Sequence, residues 1–273
     1  MTNLLVCLPY CVKDVLASKR LLLWMEELHG KYSRNAILLV ADNDVPLPAK
    51  KELNEISKNL FGQAETMLVD VPQGQQGRIL GGNQMFYNAS RQVQECYRLP
   101  FLWLEPDCVP LKRMWLEELT KEYNASPKRF LGQFTRQGPE LTARYYLPAC
   151  SVLPNNAHEL LITGPRIKGW TKPWDHESAA LTIARAQNTT LIQDHYGDLE
   201  SPPTFSNDAG AHPSNCLSTA FIRKEAVLFH RAKDSSLIDL LRGGPKAKAP
   251  LKPISEPEPE WTAVAKETEP VPV

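Results

Sequence analysis

The first 126 residues alternate short apolar runs with longer amphipathic stretches, and this alternation constrains the fold more than any other feature. Apolar runs of strand length occur near 3–10, 35–44, 64–72 and 100–111. Each run is followed by a stretch in which apolar residues have helical spacing. Strands and helices that alternate in this way form a mostly parallel sheet with helices on both faces. The sequence therefore predicts an α/β fold.

The pattern changes after residue 127 and indicates a mixed α+β half that packs against the first. A helix is predicted over 174–187, and a strand, turn and helix over 224–244. Further strands are predicted over 129–137, 145–154 and 189–197. Residues 1–242 are expected to form one domain with halves 1–126 and 127–242. The Pro- and Glu-rich segment 243–273 is predicted to be a disordered tail.

Charge and composition exclude several classes of protein. The 31 basic and 31 acidic side chains give a net charge of zero, which argues against a polybasic nucleic-acid-binding protein. No apolar run approaches the roughly 18 residues that a membrane span requires, and the N-terminus lacks a secretory pattern. Six scattered cysteines without a CxxC pair favour free thiols in a reducing cytoplasm.

Ligands of open α/β sheets bind at the carboxyl ends of the strands, so candidate site residues are expected there. No GxGxxG follows the first strand and no GxxxxGK[ST] occurs in the chain, which disfavours dinucleotide and P-loop phosphate binding. Glu105 and Asp107 directly follow the fourth apolar run. Their i, i+2 spacing in an extended chain predicts two carboxylates on one side, suited to a hard divalent cation. The alternative is that they solvate a turn or cap the next helix.

The segment FLWLEPDCVPLKRMWLEEL, residues 101–119, resembles the DxD strand of GT-A fold nucleotide-sugar glycosyltransferases, in the form found in phage and bacterial members. The resemblance implies a twisted, Rossmann-like sheet, with the acceptor half at 127–242. It also implies Mn²⁺ or Mg²⁺ held against the diphosphate of a nucleotide sugar. Asp107 is the expected metal ligand, because Glu105 stands in place of the first Asp of the motif, and Glu105 is expected to contact the sugar or the ribose.

The segment AVLFHRAKDSSLI, residues 226–238, carries the second part of the resemblance. His230 ends an apolar strand and is implied to be the C-terminal metal ligand, since an imidazole can complete a carboxylate-bound site. Lys233 is implied to lie near the departing diphosphate, where a cation offsets developing charge. A purely structural histidine is the alternative.

The donor nucleotide is expected to bind after the first three strands. Pro9 and Tyr10 follow the first strand, and Tyr10 is a candidate for stacking on uracil. Asp42 and Asp44 follow the second strand and fit base or ribose recognition, with helix capping as the alternative. Arg78 precedes a predicted helix and is a candidate contact for the donor sugar or phosphate.

A carboxylate must also accept the proton of the acceptor hydroxyl if the transfer inverts the anomeric centre. Asp175 is the first candidate and Glu177 the second, with an ordinary helix N-cap as the alternative for Asp175. Tyr145, Tyr146 and Cys150 are expected on the acceptor side. Asp194, His195 and Asp198 are interpreted as surface residues: Asp194 is followed by a His-x-x-Asp pattern too weak to define a site.

The predicted function is a metal-dependent hexosyl- or pentosyltransferase that uses a nucleotide-diphosphate sugar. Hydroxymethylpyrimidine in phage DNA, in a host cytoplasm, is the candidate acceptor, although the near-neutral charge gives no support for duplex binding. A nucleotidyltransferase is one alternative, disfavoured because the loop PYCVKD lacks glycine. A non-catalytic virion or scaffold protein is the other. The sequence leaves the oligomeric state open.

Overall fold

The structure is a computed structural model that describes residues 3–75, 79–137, 144–162, 171–194, 222–231 and 236–243. The strands are β1 Leu5–Tyr10, β2 Tyr32–Asp42, β3 Phe61–Val69, β4 Phe101–Trp103, β5 Val109–Pro110, β6 Phe130–Gly132, β7 Thr135–Gln137, β8 Arg144–Tyr146, β9 Ser151–Leu153, β10 Ala186–Asn188, β11 Ile192–Asp194 and β12 Leu228–His230. The helices are α1 Val15–His29, α2 Leu47–Leu60, α3 Ile79–Gln92, α4 Trp115–Ala125, α5 Ala157–Leu161, α6 Trp174–Glu177, α7 Ala179–Ile183 and α8 Ser236–Leu241.

A seven-stranded sheet with the order β10-β6-β9-β4-β1-β2-β3 forms the centre of the fold. The pairs β4–β1, β1–β2 and β2–β3 are parallel, and β9 is the antiparallel strand between β4 and β6. A second sheet has the order β11-β12-β5, and β7 and β8 form an antiparallel pair. The predicted α/β class with a mostly parallel sheet is confirmed.

The strand β1 is apolar along its whole length because both faces of the sheet are covered. All six residues of β1 are buried. Val6 and Leu8 pack on one face with residues of α1, α2 and α4, while Leu5 and Cys7 pack on the other with α3 and α5. Side chains alternate between the faces of a strand, so a strand buried on both faces requires a continuous apolar run.

The prediction of one helix over 174–187 is wrong, because the segment breaks into two short helices and ends in a strand. Helices α6 and α7 are two short turns, and Ala186 instead pairs with Phe130 as part of β10. Both residues are buried there, so sheet pairing and burial override the helical propensity of the alanine-rich segment. Apart from Gly243, the predicted tail lies outside the described residues. Across the described residues, none of the helices has the length and apolar character that crossing a bilayer requires.

Candidate active site

A cleft of about 620 Å³ opens at the carboxyl ends of β1 and β4. This is the edge at which ligands bind in parallel sheets, because loops and helix starts converge there. Six residues chosen from the sequence border the cleft: Pro9, Tyr10, Glu105, Asp107, Asp175 and His230.

Glu105 and Asp107 lie in a tight turn that connects the two sheets. The amide of Cys108 donates a hydrogen bond to the carbonyl of Glu105 at 2.9 Å, which closes the turn around Pro106. The prediction that Glu105 and Asp107 lie in an extended chain is therefore wrong, because β4 ends at Trp103 and strand pairing resumes only at Val109. The turn nevertheless directs both carboxylates into the cleft.

The pairing of β12 with its two neighbours brings His230 to these carboxylates. Phe229 pairs with Val109 of β5, and continuing this antiparallel register places His230 opposite Cys108. On the other side, Asp194 of β11 is the direct partner of His230 in a parallel pair. Residues that are 125 positions apart in the sequence thus meet at one point.

Three carboxylates surround the imidazole of His230. Its Nε2 lies 2.9 Å from Oε2 of Glu105 and 3.6 Å from Oδ1 of Asp107, and its Nδ1 lies 3.5 Å from Oδ2 of Asp194. Burial lowers the pKa of His230, but the charge of Asp107 and the hydrogen bonds to Asp194 and Glu105 outweigh burial and raise this pKa well above its ordinary value. The three carboxylates therefore favour a positive charge at this position.

The donor set fits a hard divalent cation. Asp107 and Glu105 offer carboxylate oxygens, and His230 offers an imidazole nitrogen whose opposite ring atom faces Asp194. A carboxylate behind a ligating histidine fixes the orientation of the ring and strengthens the ligand. The Cys108 thiol also lies close, but burial raises its pKa well above the ordinary value, so it stays protonated beside a cation that prefers oxygen.

Asp175 and Glu177 point in different directions. Asp175 is buried and borders the cleft, where burial and the charge of Glu105 raise its pKa to about 7. Glu177 is exposed, and its Oε1 accepts a hydrogen bond from the amide of Lys172 at 3.2 Å. Two residues along a helical turn are rotated by about 200°, so both side chains cannot face the cleft. Glu177 as a base is therefore wrong, and the N-cap alternative for Asp175 also fails because Pro173 is the N-cap of α6.

The donor-binding predictions have mixed outcomes. Tyr10 borders the cleft, but only 1% of the residue is exposed, so its ring is not open to stacking on a base in this arrangement. Asp42 is fully buried, and its Oδ1 accepts a hydrogen bond from the amide of Asp44 at 3.2 Å. It stabilises its own turn, and neither Asp42 nor Asp44 borders the cleft. Arg78 and Lys233 lie outside the described residues.

Asp194 is the clearest site residue that sequence reasoning missed. It is 1% exposed, so its interpretation as a surface residue is wrong. Its Oδ1 lies 3.2 Å from Nε of Arg231, and Arg231 also donates to the hydroxyl of Tyr146 at 3.0 Å. An acidic residue at the end of a short apolar run was the available signal, similar to the one that identified Glu105.

The residues expected on the acceptor side do not border the cleft. Tyr145 is 53% exposed, and Tyr146 is buried with its ring 4.1 Å from that of His176. Cys150 is buried against Cys108. Cleft residues that the sequence did not suggest include Lys13, Trp174, His176 and Arg231.

Solved structures show what the fold is similar to. No protein-family model matches the sequence, and no curated protein matches it. The galactosyltransferase LgtC, solved with donor and acceptor sugar analogs, superposes with a TM-score of 0.53 at 10% identity, over 90% of this chain and 98% of LgtC. The bifunctional glycosyltransferase WbbM superposes with a TM-score of 0.50 at 12% identity, over 85% of this chain and 46% of WbbM. This chain thus spans less than half of WbbM but nearly all of LgtC. The chain has the mixed α/β fold of GT-A glycosyltransferases.

Proposed function

We propose that this chain is a metal-dependent glycosyltransferase that moves a sugar from a nucleotide-diphosphate sugar to an acceptor hydroxyl. The observation that carries the proposal is the approach of Glu105, Asp107 and His230 in one cleft at the carboxyl edge of a parallel sheet. A fold shared with glycosyltransferases supports it, and the acidic turn lies where the sequence resemblance to those enzymes is strongest.

Asp107 and His230 would hold Mn²⁺ or Mg²⁺, and Glu105 would bind either the cation or the sugar. The cation would supply positive charge to the diphosphate as the glycosidic bond breaks. Asp194 would orient the imidazole of His230 from behind.

Asp175 is the proposed base for the acceptor hydroxyl. A general base works best when its pKa is near the working pH, and burial beside Glu105 gives Asp175 a pKa of about 7. Modified DNA stays a prediction for the acceptor, as does the choice between hexose and pentose.

Titration calorimetry with UDP and other common nucleoside diphosphates, with and without Mn²⁺, tests the proposal. Binding is expected with Mn²⁺ and is expected to weaken at least about tenfold without it or in Asp107→Asn, since one ligand charge is lost. Asp44→Asn is the matched control, because Asp44 is exposed and away from the cleft. If no nucleoside diphosphate or nucleotide sugar binds with Mn²⁺ present, the proposal is wrong. Mass analysis of products with candidate donors and acceptors then identifies the reaction.

A further inference from the structure

The seven-stranded sheet has two edges of very different length. One edge is β10, which has three residues, and the other is β3, which has nine. No strand in the described part of the chain pairs with the outer side of β3. An edge strand presents a row of unpaired backbone N–H and C=O groups, so it can pair with a further strand. The edge at β3 is therefore the one suited to binding another chain.

The sequence of β3 lacks the features that usually protect an edge strand. Lysine, proline or several charges normally prevent pairing between the edges of two sheets. The strand FGQAETMLV contains no lysine or proline and has one charged residue, Glu65. Its carboxylate accepts hydrogen bonds from the hydroxyl of Tyr97 at 2.6 Å and from the side-chain amide of Gln63 at 2.8 Å. This charge is thus already satisfied within the chain.

The side chains of β3 leave apolar surface at this edge. Only the two end residues of the strand, Phe61 and Val69, are buried. Leu68 is 55% exposed. The hydroxyl of Thr66 donates to Oδ1 of Asn54 on α2 at 3.2 Å, so Leu68, two residues further on, lies on the same face of the sheet as α2. A strand that pairs with β3 would cover Leu68.

We propose that β3 pairs with β3 of a second copy of this chain, antiparallel and across a two-fold axis at Thr66. Side chains alternate between the faces of a sheet, so an axis perpendicular to the sheet must lie opposite a residue and not between two residues. An axis at Glu65 would place two carboxylates opposite each other, which is destabilising. An axis at Thr66 places Thr66 opposite its own copy, Leu68 opposite Ala64 and Glu65 opposite Met67.

The axis at Thr66 also accounts for the exposed leucine. An axis at Ala64 would avoid opposed charges as well, but it would pair residues 61–67 and leave Leu68 uncovered. The axis at Thr66 pairs residues 63–69 and covers Leu68 with Ala64 of the second copy. Threonines that lie opposite each other on one face add a favourable cross-strand pair. A single pair of strands is a small interface, so the dimer is expected to dissociate on dilution.

Pairing at this edge leaves the candidate active site open. No residue of β3 borders the cleft. β3 runs parallel to β2, and β2 runs parallel to β1, so all three point toward the cleft end of the sheet. In an antiparallel pair the two copies point in opposite directions, which puts the two clefts at opposite ends of the joined sheet. The dimer therefore needs neither metal nor nucleotide and does not rest on the proposed function.

Analytical ultracentrifugation of the full chain over a range of concentrations tests the dimer. The expected result is a mass that rises with concentration from 30.7 kDa toward twice that value. Thr66→Lys and Thr66→Glu are each expected to weaken association at least about tenfold, because like charges then face each other on the axis. An equal mixture of the two variants should dimerise again, because opposite charges then meet. Leu181→Lys controls for added charge at an exposed position outside β3 and should associate as the wild type does.

Three results would overturn the proposal: a wild type that stays monomeric at its highest soluble concentration, a dimer that both Thr66 variants leave unchanged, or a mixture of these variants that stays monomeric. Circular dichroism checks that the variants fold, and Leu68→Lys provides a second edge variant if a Thr66 variant does not. The measurement uses no metal and no nucleotide. A negative result therefore leaves the proposed transferase standing, and a failed nucleotide titration leaves the dimer standing.

Discussion

Replacing Asp175 with asparagine is expected to change how the stability of the protein depends on pH. Asp175 is 7% exposed, and burial raises the pKa of its carboxyl from 3.8 to about 7. Between these two values the folded state binds more protons than the unfolded state, so the wild type loses stability as pH rises. Asparagine has nearly the same shape but does not ionise, so Asp175→Asn escapes this loss.

The magnitude follows from the difference between the pKa of Asp175 in the folded and in the unfolded protein. A tenfold difference in acid dissociation constant corresponds to about 1.4 kcal/mol, so complete ionisation of Asp175 costs the folded state about 4 kcal/mol. Of this, about 2.5 kcal/mol develops between pH 5 and pH 8, since part is already present at pH 5. The free energy of unfolding of Asp175→Asn, minus that of the wild type, should rise by this amount over the interval.

Urea unfolding at pH 5 and pH 8 with a chelator present measures this difference, because titrating groups that do not interact with Asp175 contribute equally to both proteins. Glu177→Gln is the matched control: it is exposed on the same short helix and should show a constant difference from the wild type. A change below about 1 kcal/mol for Asp175→Asn, or a change of opposite sign, would refute the reasoning. Mn²⁺ in place of the chelator should reduce the effect, since a nearby cation favours the ionised carboxylate.

Three further substitutions test the site and the backbone conformation of the fold around it. Asp194→Asn should weaken Mn²⁺ binding about 10- to 100-fold in calorimetry, because the carboxylate behind His230 is lost; unchanged binding would contradict its orienting role. Gly30→Ala should lower the free energy of unfolding by about 1 to 2 kcal/mol, because φ is +88° at this helix end while the space around it is open. Gly62→Ala should cost about 3 kcal/mol or more by the same denaturant measurement, because its Cβ would meet the carbonyl of Ser33; a cost no larger than that of Gly30→Ala would contradict this ranking.

The sheet could be predicted because its strands are covered on both faces. Residues 5–10 and 37–42 are buried throughout, and such strands appear in a sequence as continuous apolar runs between polar turns. The same reasoning failed at 186–188, where an alanine-rich stretch carries a helical pattern but pairs with Phe130. Nothing local in the sequence encodes that partner, which lies more than fifty residues earlier.

A site residue could be predicted when its position in the local sequence marked it, and not when its burial or orientation depended on partners elsewhere in the chain. Asp107 and His230 were found because polar residues at strand ends, combined with a family resemblance, marked them individually. Asp194 also ends an apolar strand, but its burial depends on charge partners on β12 and directly after it, which the local sequence does not show. The sequence ranked Asp175 ahead of Glu177 but placed both at the start of one helix, and the helical rotation of α6 shows that Asp175 alone borders the cleft.

The site joins the two sheets, and this explains why its ligands come from such distant parts of the chain. β4 lies in the seven-stranded sheet and β5 in the three-stranded sheet, so the turn between them belongs to both. The seven-stranded sheet fixes the start of the turn, where the amide of Leu104 donates to the carbonyl of Cys7 at 2.9 Å. The three-stranded sheet fixes its end and also carries His230 and Asp194. The distance between Asp107 and His230 is therefore set within the small sheet, while the opening of the cleft is set by the large one. Changes in the core of the small sheet should therefore alter cation affinity before they alter the shape of the cleft.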